Sequence, residues 1–537
     1  MNKKRSIIGL AILFFTVTSW AFPGKVVQTF KSPSTCPTGL TFDGRYVWLA
    51  DHKTDTLVKI DPQNENVVHH IPSPGFWPTG LTWDGENLWN IDYRQKMIFQ
   101  VDPHDGTILR TLYSPAEHPQ GLAWDGHTLW VSDSRDRKIR KLDLSDGTAV
   151  QTITAPARCT HGLTFDGTYL WCSDRIADEL YMIDPQQGEV VMVLKSPGPY
   201  PRGLAWDGKN LWNVDYQKDE IHKLIQRDEE LYRLEQKRHT LVTLTHEVNI
   251  FGTGQLKEMN VFVALPDNLP HQTIVKTEFS PAKYRTVTDK WQQTFAAFVY
   301  HDVKAEATVR TTMTVEARLY NITYYIFPDR CGTLNDIPSD LIQTYTANGS
   351  KYMIDDEFIQ QSVKNIVGSE KNPYWIARKI FDYVRQTLEY KLEGGWNRAP
   401  YVLKRGTGSC SEYTFSFIAL CRAAGLPARY VGGVVVRYDD ASLDEYFHRW
   451  PEVYLPQYGW IPIDPQAGDT EKPRERALSI GHLPNKILIT TQGGGDSAHI
   501  GWSYNTRADY ITDPQIQVEV DTFAEWEPIE VEKIMGK

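Results

Sequence analysis

Cysteine is scarce in this chain, six in 537 residues, and no two stand at C-x-x-C spacing. That argues against a small scaffold held by dense disulfides and against zinc modules whose ligands come in close pairs. Cys36, Cys159 and His118 are metal ligands by type alone, so no metal and no cofactor is expected. Positive charge is also short, with 57 Lys and Arg facing 67 Asp and Glu for a net charge of −10. Nucleic acid is therefore not an expected partner, because phosphate binding needs clustered cations. Beyond the N-terminus no stretch approaches the ~20 apolar residues of a membrane span.

The N-terminus itself carries Lys3, Lys4 and Arg5, the apolar run IIGLAILFFTV, and small residues ending at Ala21. This is the layout of a secretory signal. Residues 1–21 are expected to be removed after about Ala21, leaving a secreted or periplasmic chain, and with no cysteine at the cut no lipid anchor is expected. Their loss takes away three positive and no negative charges, moving the balance from −10 to −13. The remaining length is too great for one core and predicts several domains.

Five segments of one design follow: GLTFDGRYVWLAD from Gly39, GLTWDGENLWNID from Gly80, GLAWDGHTLWVSD from Gly121, GLTFDGTYLWCSD from Gly162 and GLAWDGKNLWNVD from Gly203. The spacing is 41 residues throughout, without insertion. Short strands with Asp-Gly turns at a period of ~40–45 residues mark propeller blades. The fourth strand of the unit appears first as VVQTF, ahead of the first full repeat, and is missing after the fifth. One blade is then assembled from both chain ends, with the N-terminal strand beside Ile221 to Ile225, which removes an exposed edge. The expectation is an all-β five-bladed propeller over 22–226. Apolar positions barely change between repeats, whereas two sets vary: Cys36, Trp77, His118, Cys159 and Tyr200 before the repeat glycine, and His52, Tyr93, Ser134, Arg175 and Tyr216 after the second strand. Strand-end positions of this kind gather at one mouth, where a rigid frame presents recognition loops. His52, Trp77, Tyr93, His118, Arg175, Tyr200 and Tyr216 are the candidate binding residues for a protein partner.

The charged run RDEELYRLEQKR at 227–238 reads as a linker or short solvated helix. Alternation then sets in at Met259, Val261, Val263 and Leu265, and again from Val309 to Leu319, predicting a β-sandwich over 239–335. Pro373 opens an amphipathic helix, YWIARKIFDYVRQTL, leading into an α+β region over 350–490, with a C-terminal extension at 491–537.

Cys410 opens an apolar-periodic segment, with Phe417, Ile418, Cys421 and Ala424 at helical spacing, that stops at Gly425 and Pro427. A sulfur at a helix N-terminus is held toward thiolate by the dipole, and the free N–H groups there can hold an oxyanion. Two glycines in LKRGTGS leave room for a sharp turn and a substrate. His448 and Asp464 lie on two strand-like runs, WPEVYLP and GWIPIDP, joined by a turn at 456–459. A hairpin there brings a base and its orienter together, Asp464 fixing the imidazole tautomer and leaving the other nitrogen for the thiol. Each residue alone has a plainer reading, as core thiol, packing histidine and turn aspartate.

The segments GSCSEYTFSFIALCRAAGLPARYVGG around Cys410 and HRWPEVYLPQYGWIPIDP from His448 to Pro465 resemble the transglutaminase-like (papain-like) core family. The resemblance covers about 350–490 and implies catalytic roles for Cys410, His448 and Asp464. Family members include protein crosslinkers, deamidases, proteases and amidases, so the acceptor, amine or water, stays open. The repeats resemble NHL-, kelch- or YncE-like propellers. The resulting expectation is an exported thiol enzyme acting on peptide or protein amide bonds through a Cys thioester, with the propeller recruiting a partner. The alternative is a binding or scaffold protein whose propeller does the work and whose core is inactive.

Overall fold

The computed structural model describes residues 21–392, 395–437 and 441–529. The expected signal peptide, apart from Ala21, lies outside the described residues. Each repeat unit forms a four-stranded antiparallel sheet, the first being Pro37–Phe42, Val47–Asp51, Thr56–Ile60 and Val67–Pro72. The Asp-Gly turn explains the pattern. Asp43 Oδ1 accepts the N–H groups of Arg45 and Tyr46 at 3.0 and 2.7 Å, Gly44 takes φ +96°, and Oδ2 accepts the Trp48 indole N–H at 2.9 Å. One carboxylate thus ties the turn and anchors the buried ring. The same indole bond recurs from Trp89, Trp130, Trp171 and Trp212 to Asp84, Asp125, Asp166 and Asp207 at 2.8 to 3.0 Å.

The repeat glycines set how the sheets meet. A Cβ on Gly39 would stand 2.2 Å from Thr79 O, on Gly162 2.0 Å from Arg202 O, and on Gly203 2.6 Å from Leu40 N. Each innermost strand therefore abuts the next, and the fifth abuts the first. Val26–Lys31 pairs with Glu220–Ile225, Phe30 opposite Ile221, and completes the sheet of Asn210–Asp215 and Pro201–Trp206. The repeats close into a propeller-like ring of five such sheets.

The run expected to be a linker is instead the start of a 21-residue strand, Tyr232–Gly252. Its charges alternate with half-buried residues, and Gln236 at φ 49° forms the bulge between Glu235 and Arg238 that absorbs the irregular pattern. Val242, Leu244, Val248 and Ile250 are buried against Met259, Val261, Val263, Met313 and Val315 between two sheets. The strands expected over 239–335 are not the whole sandwich. Ile516–Pro528 pairs with Tyr232–Gly252, and Thr506–Thr512 pairs with Gln255–Ala264. The stretch read as a C-terminal extension thus fills both sheets; strands distant in sequence carry no local signal of their pairing.

Among the described residues the third region has six α-helices, α1 (Ser339–Tyr345), α2 (Glu357–Val367), α3 (Pro373–Thr387), α4 (Ala399–Arg405), α5 (Cys410–Ala423) and α6 (Pro473–Leu478). They pack on a sheet ordered Gly459–Pro462, His448–Leu455, Ala428–Val435 and Ile487–Gly493. Asn372 caps α3 by accepting from Tyr374 and Trp375 N–H, and Pro373 occupies the first helical position. Nearly all of α5 is buried, so it forms the hub of this region. The ring docks firmly here. Arg378 of α3, 2% exposed, pairs with Glu189, while Arg474 forks onto Glu179 at 2.6 Å. Tyr169, Trp171, Leu180 and Met182 of the ring share one hydrophobic core with Phe327, Ile380 and Phe381.

Candidate active site

Cys410 is the first residue of α5, after Ser409 with extended backbone. Gly406 makes the turn that the sequence predicts, ending α4 at φ +78°, whereas Gly408 serves close packing, since a Cβ there would meet Glu412 Cβ at 2.9 Å. Glu412 is fully buried and accepts from Ser409 N–H at 3.1 Å, Asn397 N–H at 3.0 Å, Asn397 Nδ2 at 2.9 Å and Arg405 Nη2 at 3.0 Å. Four donors on one carboxylate fix the helix start that carries the sulfur.

His448–Leu455 and Gly459–Pro462 form the hairpin, with Leu455 opposite Gly459 and Glu452 opposite Pro462. Past its end Asp464 Oδ2 lies 2.7 Å from His448 Nε2. Asp464 Oδ1 accepts from Gln466 and Ala467 N–H at 3.1 and 3.0 Å, so the carboxylate is held from both sides. Trp450 stacks on the imidazole at 5.6 Å and 22°. With Nε2 committed to Asp464, Nδ1 is the ring nitrogen left for Cys410, whose thiol is lowered by the hydrogen-bonding capacity and the charge of His448. The three residues predicted from sequence are thus brought together as one relay.

Its electrostatics are opposite to those of three fully buried thiols. Burial pushes Cys172, Cys331 and Cys421 above the ordinary thiol value. Burial opposes ionisation at Cys410 as well, yet the hydrogen bond and charge of His448, and the backbone N–H and charge of Arg449, outweigh it and hold the thiol below that value. Burial likewise opposes the charged imidazole, but Asp464 and the Cys410 sulfur push His448 up to about 10. The coupling of the two groups favours the thiolate–imidazolium form of the pair over the neutral one.

Arg449 was not legible as part of this site. It is 0% exposed, and its guanidinium lies 4.2 to 5.0 Å from the ring centroids of Tyr504, Tyr430, Trp396 and Phe415. Nη2 donates to Trp502 O at 2.7 Å, while Nε and Nη1 are buried without hydrogen-bond partners. Thr414 Oγ1 donates to Cys410 O and Arg449 O at 2.8 and 3.1 Å, tying the two backbones together. The only advance signal was the letter after His448, since the cage comes from four separate elements. The aromatic tail at Trp502 and Tyr504 belongs to this cage.

The propeller-mouth candidates form two arcs. His52 stacks on Trp77 at 4.1 Å and 8°, Trp77 meets Tyr93 at 5.2 Å, and Tyr93 meets His118 at 6.2 Å. In the other arc Arg175 Nε donates to Cys159 Sγ at 3.3 Å and its guanidinium covers Tyr200, Tyr200 meets Tyr216 at 5.9 Å, and Tyr216 Oη lies 3.9 Å from Cys36 Sγ. Ser134 donates to His118 O, and the chain of side-chain contacts does not continue from there to Cys159. Among the described residues no group of three His, Cys, Asp or Glu side chains is placed to hold a metal ion.

Residues 360–465 match the transglutaminase-like superfamily and form a transglutaminase-like domain. An uncharacterized protein of Bacillus subtilis, YebA, is 30% identical over 167 residues, 28% of this chain and 20% of that protein. An uncharacterized protein of Haemophilus influenzae is 23% identical over 255 residues, 41% of this chain and 67% of that protein. The chain thus spans a fifth of the first relative's length. Among solved structures, a candidate cysteine protease from Cytophaga hutchinsonii aligns at a TM-score of 0.37 and 16% identity, over 54% of this chain and 93% of that one. Among the described residues no helix is long and apolar enough to cross a membrane.

Proposed function

We propose that this chain is an exported thiol enzyme that acts on peptide or protein amide bonds through a Cys410 thioester. The observation that carries the proposal is the relay of Cys410, His448 and Asp464, with its 2.7 Å imidazole–carboxylate bond and a thiol held below its ordinary value. In this reading the Cys410 thiolate attacks the amide carbonyl and forms the C–S bond. The N–H groups of Cys410 and Ser411 at the start of α5, ahead of the capped Glu412 N–H, face the developing oxyanion. The His448 imidazolium gives its proton to the departing amine as the C–N bond breaks. Asp464 holds the ring in orientation and stabilises its charge. An amine or water then attacks the thioester, giving back the thiol.

The five sheets of repeats are read as blades of a five-bladed propeller that recruits the protein partner through its mouth. Export rests on the basic and apolar N-terminus with its small-residue site at Ala21. The deciding experiment incubates the full chain and Cys410→Ala with protein substrates and follows crosslinks, deamidation and cleavage by mass spectrometry. A product made by the full chain alone supports the enzyme and names its acceptor. No product, together with alkylation of Cys410 no faster than free cysteine, leaves the ring as the working part.

A further inference from the structure

At one end of the ring Arg202 and Arg175 form no ion pair with a carboxylate among the described residues. Arg202 occupies the place before a repeat glycine where the other units carry Thr38, Thr79, Gln120 and His161, so only the fifth unit puts a cation there. Its guanidinium lies 4.5 Å from the Tyr216 ring, and its Nε is buried with no hydrogen-bond partner. Arg175, from the neighbouring sheet, is close enough that the two cations repel. Asp174 attracts Arg175 but forms no ion pair with it. Asp174 is committed to the N–H groups of Cys159, Ile176 and Ala177 at 2.5, 2.9 and 2.9 Å. His161 between them is held neutral, by burial first and then by Arg202 and Arg175. Two guanidinium groups backed by tyrosine rings, Arg202 with a free buried Nε and Arg175 bonded through Nε to Cys159 Sγ, stand beside the stacked His52 and Trp77 and form a preorganised fork for an oxyanion next to an aromatic wall.

We propose that this end of the ring binds an oxyanion borne on an aromatic group, with Arg202 and Arg175 on the charge and the mouth aromatics on the planar part. The inference rests on the recognition role proposed for the ring and gives it a ligand class. It is tested in full-length Cys410→Ala, so that the outcome does not depend on catalysis. Calorimetry compares phenylacetate and phenyl phosphate, which tell a carboxylate from a phosphate, with neutral phenylacetamide and with inorganic phosphate. At least one aromatic anion is expected to bind about tenfold or more tighter than phenylacetamide, and Arg202→Gln to remove that advantage. Arg175→Gln, at a half-exposed position, gives the same reading should Arg202→Gln fail to fold. Equal binding of phenylacetamide, or unchanged binding in the folded arginine variants, overturns the site. Inorganic phosphate binding as tightly as phenyl phosphate overturns its aromatic half.

Discussion

In the ring an aspartate beneath a buried tryptophan occurs five times and does one job each time. In the transglutaminase-like domain the buried charges Glu412, Arg449 and Arg378 occur once each, Glu412 held by N–H donors, Arg449 chiefly by aromatic rings and Arg378 by carboxylates. Repetition spreads stability over equivalent contacts, so a single loss is local. A single-copy network concentrates function in groups that nothing else replaces. The mouth of the ring has both characters, a repeated frame carrying residues that vary from unit to unit.

The comparison is tested most severely at Cys410. Cys410→Ala is expected to abolish amide turnover while thermal unfolding stays close to that of the parent, because a half-buried side chain at a helix start contributes little packing. Unchanged turnover would remove the proposed mechanism. Asp464→Asn is expected to cost about 10²–10⁴-fold in kcat. It should also move the pH profile. The rate rises as the Cys410 thiol ionises, below the ordinary thiol value, and falls as His448 loses its proton at about 10. Asp464 raises the imidazole, so the asparagine variant should bring the basic limb down by about 1–3 units. A basic limb that stays in place would make Asp464 a turn former only.

Strand Val26–Lys31 offers the largest effect within the ring. Deleting it leaves Glu220–Ile225 as an unpaired edge and removes Phe30 from its contact with Trp212 at 6.2 Å. Limited proteolysis of the full chain should then cut first within the fifth sheet. Equal resistance with and without the strand would argue against closure. Arg449→Met is a finer probe of the single-copy network. It keeps the cage filled and the backbone N–H that serves the sulfur, but removes the charge. Alkylation of Cys410 at neutral pH should slow by about tenfold for each unit by which its pKa rises. A slowed rate with an unmoved pH profile would assign Arg449 to packing.

What could be read from the letters follows the same division. The period, the Asp-Gly turns and the displaced first strand carry the ring, because each signal is local and repeated. The Cys410 helix and the hairpin from His448 to Asp464 were legible because capping and turn residues lie within a few positions of the chemistry. Sandwich membership of Thr506–Thr512 and Ile516–Pro528 was not legible, since strands pair there across more than 200 residues. The charged start of Tyr232–Gly252 misled for a related reason. A strand on a wet sheet face has the composition of a linker, and only its partner makes it a strand. Arg449 escaped because a cation cage is defined by rings from four elements.

The smallest predicted effect separates two repeats that look alike. Asp43 and Asp84 both hold an indole, but Asp43 also pairs with Lys59 at 3.0 Å, whereas Asp84 accepts from the neutral Gln100 at 2.9 Å. Asp43→Asn keeps an acceptor for Trp48 but leaves Lys59 without its counter-charge, and is expected to cost about 1 kcal/mol more than Asp84→Asn. Burial opposes the Asp43 charge, yet the N–H groups of Tyr46 and Arg45, Trp48 and Lys59 together hold its carboxyl below the usual value. A depressed carboxyl contributes stability that is present above its unfolded pKa of about 3.9 and is lost as pH falls through the lower folded value. The gap between the two variants should therefore be full at neutral pH and narrow on acidification through that window. Denaturant unfolding of both variants across pH 2–7 would show it, and a gap that persists at the acid end would place the effect in packing rather than in charge.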